Sequence, residues 1–130
     1  MMKFVIFSGN HEIGDSDLEH ADPHMGIRMG RFRPSHGYGP WEALIQELSM
    51  ASFEAHMTRE EDEERRRLQA RVAELSSKIS TINLRVETKD GHRVGTVWVH
   101  IEDYAQEMGA EEREISICVE DSDTYEQYFE

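Results

Sequence analysis

The sequence contains one cysteine, Cys118, and only three prolines, all of them between residues 23 and 40. A single cysteine cannot form an internal disulfide, so no oxidative cross-link holds this chain together. The apolar run near the N-terminus, Phe4 to Phe7, is too short for the hydrophobic segment of a signal peptide or for a membrane span. From these absences we expect a cytoplasmic protein that does not bind a membrane.

Basic residues are scarce at one end of the chain. Residues 101–130 carry eleven acidic side chains and one basic one, Arg113, which gives them a net charge of −10 (1 − 11) out of −13 for the whole chain. Residues 1–100 are nearly balanced, with 16 acidic and 13 basic side chains. A field of this sign repels nucleic acids and attracts basic surfaces. The acidic residues concerned are Glu102, Asp103, Glu107, Glu111, Glu112, Glu114, Glu120, Asp121, Asp123, Glu126 and Glu130.

Length and composition predict a single domain, residues 1–130, with a modest core. The apolar content of 38% is below the usual level of about 45–50%, and the charged content of 32% exceeds the usual level of about 25%. Lys3 to Phe7 predicts a short buried strand. Residues 8–40, which hold all the prolines and four histidines, predict a long loop.

Residues 41–79 contain neither glycine nor proline, which strongly favours helix. Residues 58–61 have the spacing of a capping box, which favours two helices over a single kinked one, the alternative that the sequence leaves open. The first helix has a second apolar face, and the second helix has one narrow apolar seam. Because such faces need cover, we expect a homo-oligomer. The residues expected at its interface are Met50, Phe53, Met57, Leu68, Val72 and Leu75.

Residues 81–101 predict a β-hairpin. Asp90-Gly91 is a two-residue turn signal between two runs that alternate apolar and polar residues. The register that pairs Lys89 with His92 sorts every aliphatic residue except Val94 onto one face of the hairpin. A shift by one residue would destroy this sorting, so the pattern favours this register.

After the hairpin, a short helix of about Glu102 to Met108 is expected to end at Gly109, and Ile115 to Val119 predicts a last strand. Residues 121–130 then form an acidic and aromatic tail. The order of elements is β-α(α)-β-β-α-β. We therefore predict an α+β fold with a four-stranded, largely antiparallel sheet of the ferredoxin-like, split βαβ type, in which the 8–40 loop is an insertion.

The turn Gly9-Asn-His-Glu12 directly follows the first predicted strand. It resembles one motif of the calcineurin-like metallophosphoesterases, in which the Asn binds metal and phosphate and the His assists the leaving group. The resemblance implies these roles for Asn10 and His11. The Asp-x-His and Gly-Asp motifs of that family are not found in the eight residues before Gly9, so a two-metal site would lack ligands. A turn with permissive backbone is the alternative interpretation.

Four histidines in the 8–40 loop have side chains that suit metal binding, namely His11, His20, His24 and His36. Their spacing matches no metal-site template, and Pro23 interrupts the helical face that His20 and His24 would need to share. We therefore expect no cofactor, no resident metal ion and no catalytic residue. A metal-dependent, phosphoesterase-like hydrolase that uses this loop is the second alternative function.

The acidic C-terminal third is either a solvated face with a soluble tail or an interaction surface. The second interpretation is favoured by its locally uncompensated charge and by Tyr125, Tyr128 and Phe129, aromatic types enriched at interfaces. We predict a non-enzymatic interaction protein whose acidic and aromatic residues between 102 and 129 bind a basic partner protein, such as a nucleic-acid-binding protein. In size and composition the chain is similar to small acidic inhibitors of phages and mobile elements, including anti-restriction and anti-CRISPR proteins. That similarity implies an inhibitor or nucleic-acid decoy that does not itself bind nucleic acid. A homo-oligomeric structural or adaptor subunit is the first alternative.

Overall fold

The structure of the protein is a computed structural model, and it describes residues 3–22, 25–58 and 63–129. Within these ranges the chain forms nine strands and four α-helices, with short 3₁₀ turns at His36–Tyr38 and Ser80–Ile82. The strands are β1 (Phe4–Ser8), β2 (His11–Ser16), β3 (His20–Asp22), β4 (Ile27–Arg31), β5 (Arg33–Pro34), β6 (Leu84–Thr88), β7 (Arg93–Val94), β8 (Thr96–Asp103) and β9 (Arg113–Val119). The helices are α1 (Gly39–Met57), α2 (Glu63–Ile79), α3 (Ala105–Met108) and α4 (Ser122–Phe129).

The strands form two antiparallel sheets. The first sheet has the order β5-β2-β1-β6-β7, and the second has the order β3-β4-β9-β8. β1 lies in the middle of the first sheet and pairs with β2 and β6, and β9 pairs with β4 and β8 in the second. The α+β class predicted from the sequence is confirmed.

The inner faces of the two sheets share one hydrophobic core. Ile6 and Val86 of the first sheet and Ile115 and Ile117 of the second are fully buried in it. Phe32, in the short link between β4 and β5, is also buried there, at the point where the chain passes from one sheet to the other. Each buried side chain of this size contributes about 1.5–3 kcal/mol, so this core is the main force that joins the two sheets.

α1 and α2 pack against each other as a helical hairpin. Pro40 stands in the first turn of α1, where its missing N–H is no loss, and the extended backbone of Thr58 ends the helix. Leu75 of α2 is fully buried against Leu48 and Ala51 of α1, so the prediction of two helices is confirmed. The capping box predicted at residues 58–61 lies outside the described residues except for Thr58. Among the described helices, none has the length and apolar character needed to cross a membrane.

The prediction of a single four-stranded sheet with a long loop is wrong. Residues 8–40 form β2 to β5, which supply two strands to each sheet. Two glycines that favour a loop on sequence grounds lie inside strands at points of close contact. A Cβ on Gly14 would collide with the backbone of Arg33, and a Cβ on Gly30 would collide with Leu18 and the side chain of Glu19. Here glycine allows neighbouring segments to approach one another without ending the strand.

The hairpin predicted at residues 81–101 forms between β6 and β7, but in a different register. Val86 pairs with Val94, and the turn spans three residues, 89–91, with Gly91 at φ 93°. The register is therefore shifted by one residue, and Val94 is buried instead of being the exception. After Val94 the chain leaves the first sheet, and β8 joins the second. A glycine at positive φ fits a three-residue turn as well as a two-residue one, so turn chemistry alone could not select the register.

The last part of the chain follows the prediction with two changes. α3 ends at Gly109 as expected, and β9 forms where residues alternate, as expected. α3 covers only four residues, because residues 102 and 103 still belong to β8. The expected tail at 121–130 is instead α4 over its described part, and this helix packs beside β9.

Candidate functional site

The outer face of the second sheet carries side chains in rows across neighbouring strands. The rows are Trp98–Cys118–Ile27, His100–Ser116–Met29 and Glu102–Glu114–Arg31. The face therefore changes from apolar to charged along the strands, with histidine and methionine between the two ends. Its charged end lies next to residues 104–112, the loop that joins β8 to β9 and contains α3.

Glu102 and Glu114 lie directly opposite each other on adjacent strands. Like charges in this arrangement are destabilising, by an amount comparable to the ~0.2–1 kcal/mol that a favourable cross-strand pair contributes. Partial burial raises the pKa of Glu114, the charge of Glu102 raises this pKa further, and His20 lowers it. A cation placed beside the two carboxylates would relieve their repulsion.

The two glutamates line a surface pocket of about 350 Å³, hereafter the acidic pocket. Its lining residues are Glu19, His20, Gly30, Arg31, Glu102, Tyr104, Glu111, Glu112, Arg113 and Glu114. Five carboxylates and two guanidinium groups give the lining a net charge of −3 (2 − 5) when His20 is neutral. The pocket thus concentrates negative charge at one end of an otherwise mixed sheet face.

Both arginines of the acidic pocket have acidic partners in the protein. Arg113 Nε donates a hydrogen bond of 3.0 Å to Asp103 Oδ2 in the interior. Arg31 Nη1 lies 4.0 Å from Glu111 Oε1 at the surface, a contact that solvent weakens. Arg113 is thus engaged in the interior. Arg31 lies on β4 opposite Glu114 and makes its ion pair with Glu111, so the pocket retains a net negative charge.

Asp103 follows Glu102 in the sequence but faces the interior, where it is fully buried. Its Oδ2 accepts hydrogen bonds from Tyr38 Oη at 2.7 Å and Arg113 Nε at 3.0 Å, and its Oδ1 accepts one from the backbone N–H of Ala105 at 2.9 Å. Burial acts to raise the pKa of Asp103, but these hydrogen bonds and the Arg113 charge lower it below its ordinary value. The prediction that Asp103 binds a partner is corrected, because this carboxylate is enclosed and serves the fold.

The aromatic residues of the C-terminal segment also face inward. Tyr125 is buried, and the ring of Phe129 stacks on Phe4 with 5.1 Å between centroids. The guanidinium of Arg28 lies over the Phe129 ring, 4.7 Å from its centroid. Tyr128 packs against the same core. Tyr125, Tyr128 and Phe129 therefore attach α4 to the protein. The prediction that Tyr125 anchors a partner is corrected because this side chain is buried, whereas for the half-buried Tyr128 and Phe129 it stays a prediction.

The remaining predicted acidic residues divide into two groups. Glu107, Glu111 and Glu112 lie on the β8–β9 loop, beside Glu102 and Glu114 of the acidic pocket. The exposed side chains of the second group follow the other end of β9, and six residues of strand put that end about 20 Å away. That group consists of Glu120, Asp121, Asp123 and Glu126. The structure thus brings together only part of the predicted acidic surface, and Glu130 lies outside the described residues.

Asp121 in the second group has a role in the fold. Its Oδ1 accepts a hydrogen bond of 2.7 Å from the backbone N–H of Thr124 in the first turn of α4, as a helix cap does. The bonds from Thr124 lower the pKa of Asp121. An acid that caps a helix has a structural reason to be present, so the second group is less informative about a partner than the acidic pocket.

The sequence indicated His20 only as a possible metal ligand and did not assign Glu19 or His20 to the acidic surface, although both line the acidic pocket. They lie in the segment predicted as a loop, where His20 in fact begins β3, the edge strand of the second sheet, and pairs with Met29. Residues 27–29 of the neighbouring strand β4 do alternate between apolar and basic side chains, but Gly30 ends the alternation after three residues, which is too short to predict a strand.

A second pocket, of about 270 Å³ and almost entirely apolar, adjoins the acidic pocket. This apolar pocket lies between α1 and α3 and is lined by Met50, Phe53, Tyr104, Glu107 and Met108. Phe53 is 50% exposed and Met108 is 69% exposed. Tyr104 lines both pockets, so they share one wall.

The two apolar stripes predicted to form an oligomer interface differ in how far the chain itself covers them. Leu75 is fully buried against Leu48, and Val72 packs on the same cluster, so α1 covers these two residues of the predicted seam within the chain. This corrects their assignment to an interface between chains, whereas Leu68 is half-buried and its assignment stays a prediction. In the other stripe Met50 is half-buried, and Phe53 and Met57, which is 58% exposed, remain at the surface.

The histidines of residues 8–40 are dispersed. The Gly-Asn pair after β1 forms the tight turn to β2, and His11 beyond it is exposed. His20 lies at the acidic pocket, His36 lies in the turn before α1, and His24 lies outside the described residues. Across residues 3–22, 25–58 and 63–129, no three His, Cys, Asp or Glu side chains are grouped so as to hold a metal ion.

No family model, no curated protein and no solved structure matches this chain. The geometry of the two adjoining pockets is therefore the basis for a functional proposal.

Proposed function

We propose that this chain is a non-enzymatic interaction protein whose acidic pocket binds a basic surface of a partner protein. The observation that carries the proposal is the pair Glu102 and Glu114, two carboxylates held opposite each other on adjacent strands in a pocket of net charge −3 (2 − 5). The pair weakens the free protein, and a lysine or arginine of the partner placed beside it relieves the repulsion. Local violations of stabilising rules of this kind are typical of functional sites.

The class of partner follows from the charge of the chain. A net charge of −13 repels nucleic acids, whereas proteins that bind nucleic acids present basic surfaces of the opposite sign. Glu111 and Glu112 extend the carboxylates of the acidic pocket onto the β8–β9 loop. An inhibitor or nucleic-acid decoy is therefore the specific form of the proposal. The lack of an internal disulfide fits a reducing compartment, and we place the interaction in the cytoplasm.

The test uses three baits: the wild-type chain, a Glu102→Gln/Glu114→Gln variant, and a Glu63→Gln/Glu64→Gln control. The control removes the same charge from exposed positions at the start of α2. Capture from the source cell is compared at about 0.1 M and about 1 M salt, between which the Debye length falls from about 10 Å to about 3 Å. We expect the wild type and the control to capture one basic protein at low salt, the pocket variant to lose most of it, and high salt to release it.

Binding kinetics with the purified partner make the test sharper. Since charge steering acts on the encounter, the pocket variant should slow association more than it speeds dissociation. Equal capture by all three baits, or a complex that resists high salt, would contradict the proposal. The chain should also fail to shift labelled duplex DNA, and tight, salt-sensitive DNA binding would reverse the assignment of the partner.

A homo-oligomeric adaptor is the second candidate function. The observation that favours it is the stripe formed by the exposed Phe53 and Met57 with the half-buried Met50, since clustered apolar side chains on a surface mark interaction sites. The net charge of −13 opposes self-association, because two copies repel each other. The two candidate functions therefore differ in what covers this stripe, a second copy of the chain or a basic partner protein.

A further inference from the structure

We infer that the apolar pocket receives a large apolar side chain from the same partner segment whose basic residues enter the acidic pocket. The inference rests on the proposed function and gives the partner a defined chemistry, a cationic segment with one apolar anchor residue.

The first argument is that the two pockets adjoin each other at a shared wall, Tyr104, which is held in place by several contacts. The ring of Tyr104 meets Phe53 edge-on at 6.4 Å between centroids, and its hydroxyl donates to the Ser49 carbonyl oxygen at 3.3 Å. The backbone N–H of Tyr104 donates to the Glu112 carbonyl oxygen at 2.9 Å. A segment that lies across Tyr104 therefore reaches the acidic pocket on one side and the apolar pocket on the other.

The second argument is charge complementarity around the apolar pocket. Glu107 lines this pocket, and Glu111 and Glu112 follow on the same loop. A segment that inserts an apolar side chain brings its flanking residues next to these carboxylates, so basic flanks are attracted and acidic flanks are repelled. A second copy of this chain would bring its own acidic loop to the same place, which favours a basic partner over self-association.

The third argument is that the pocket is preformed and can still adapt. Within the loop, the backbone N–H of Met108 donates to Tyr104 O at 2.9 Å, and that of Glu112 donates to Gly109 O at 3.0 Å. A loop that is already hydrogen-bonded loses little conformational entropy on binding. The flexible thioethers of Met50 and Met108 allow the pocket to fit aliphatic or aromatic anchors.

The test titrates the full chain with two synthetic lysine-rich peptides of equal length and charge, one with a central tryptophan and one with serine in its place. Fluorescence anisotropy should give about tenfold tighter binding of the tryptophan peptide, which corresponds to about 1.4 kcal/mol. Phe53→Ser and Met108→Ser, two exposed sites, should each remove this advantage and leave the serine peptide unaffected. Met25→Ser is the matched control, since Met25 is 64% exposed and lines neither pocket, and it should change neither affinity.

The outcomes separate the inference from the proposed function. Equal affinity of the two peptides for the wild type, or an advantage that survives both pocket substitutions, overturns the inference alone. Failure of Glu102→Gln/Glu114→Gln to weaken both peptides overturns the proposed function, and failure of both peptides to bind overturns both. A wild-type dimer in analytical ultracentrifugation that Phe53→Ser abolishes, with no change in peptide binding, assigns the pocket to a second copy and overturns the inference.

Discussion

The outer faces of the two sheets differ in whether their acidic residues are paired with basic residues of the same chain. On the first sheet, Arg33 Nε donates to Asp15 at 2.5 Å, and its two terminal nitrogens contact Asp17 at 3.0 and 3.2 Å. These bonds lower the pKa of Asp17 and raise that of Arg33. Beside them, the Arg85 guanidinium donates to Glu87 at 2.6 Å. Acidic and basic residues of this face are matched within the chain, so its charges serve the fold.

On the second sheet, Glu102 and Glu114 are opposed as like charges. The base that lies 3.6 Å from Glu102 is His100, which carries charge only when it is protonated. The same chain is thus able to match carboxylates with arginines on one sheet and leaves a pair of them opposed on the other. The difference is what the proposed binding of a basic partner would explain, since the first sheet neutralises its acids within the chain and the second leaves two of them opposed.

The largest effect on stability is expected on strand β8, where Glu102 faces the surface and the neighbouring Asp103 faces the interior. Asp103→Asn leaves the partly buried Arg113 without its ionic partner in the interior, and loss of one member of a buried pair costs about 3–5 kcal/mol. Urea denaturation of both proteins at neutral pH measures the change. Glu102→Gln, one residue away, should cost nothing, and similar losses for the two variants would remove the contrast between the two sides of β8.

The pH dependence of the same variant gives an independent check. Folding lowers the pKa of Asp103, so the ionised group stabilises the protein above its ordinary pKa of about 3.9, and this stability is lost as the pH falls through the lowered value. The wild type should therefore lose stability in acid more steeply than Asp103→Asn.

Tyr38→Phe removes one hydrogen bond to Asp103 and should cost about 1–3 kcal/mol, less than Asp103→Asn.

The elements of the fold could not all be predicted equally well from the sequence. The last strand and the helical pair are marked by periodicity, and their prediction is confirmed. Gly109 correctly marks the end of the short helix, but its predicted start at Glu102 belongs to β8. Strands β2 to β5 contain only two to six residues each and include glycines required by close contact, so no periodic pattern could reveal them.

The candidate site was predicted in part. An excess of acid in the last thirty residues is visible in the sequence, but the side of a strand that each acid occupies depends on register. Glu102 and Asp103 have the same charge and adjacent positions, and only the pairing with β9 separates a surface residue from a buried one. The apolar pocket depends on how α1 meets α3, a contact between residues far apart in the chain.

A smaller effect is expected from breaking the matched charges of the first sheet. Arg33→Met leaves Asp15 and Asp17 without their guanidinium, and we expect a loss of about 1 kcal/mol, because solvent screening weakens a partly exposed pair. Thermal unfolding at low and high salt measures the loss, which should shrink as salt rises. Lys3→Met is the control, since Lys3 contacts Asp15 at 3.3 Å from an exposed position and should matter less. Equal losses for the two variants would show that Arg33 does not organise this face.

The smallest expected effect is an increase in stability instead of a loss. Glu114→Gln removes the like-charge pair with Glu102 and should stabilise the free protein by about 0.2–1 kcal/mol at neutral pH. Folding raises the pKa of Glu114, so its charge destabilises the folded state above that pKa, and the benefit of the substitution should vanish as the pH falls and Glu114 becomes protonated. Thermal unfolding near pH 7 and near pH 3 measures both parts. The control is Glu126→Gln, an exposed residue of α4 beyond its first turn, which should change neither. A variant that is more stable and binds the basic partner less tightly separates recognition from folding, whereas a less stable variant would mean that Glu114 serves the fold as the acids of the first sheet do.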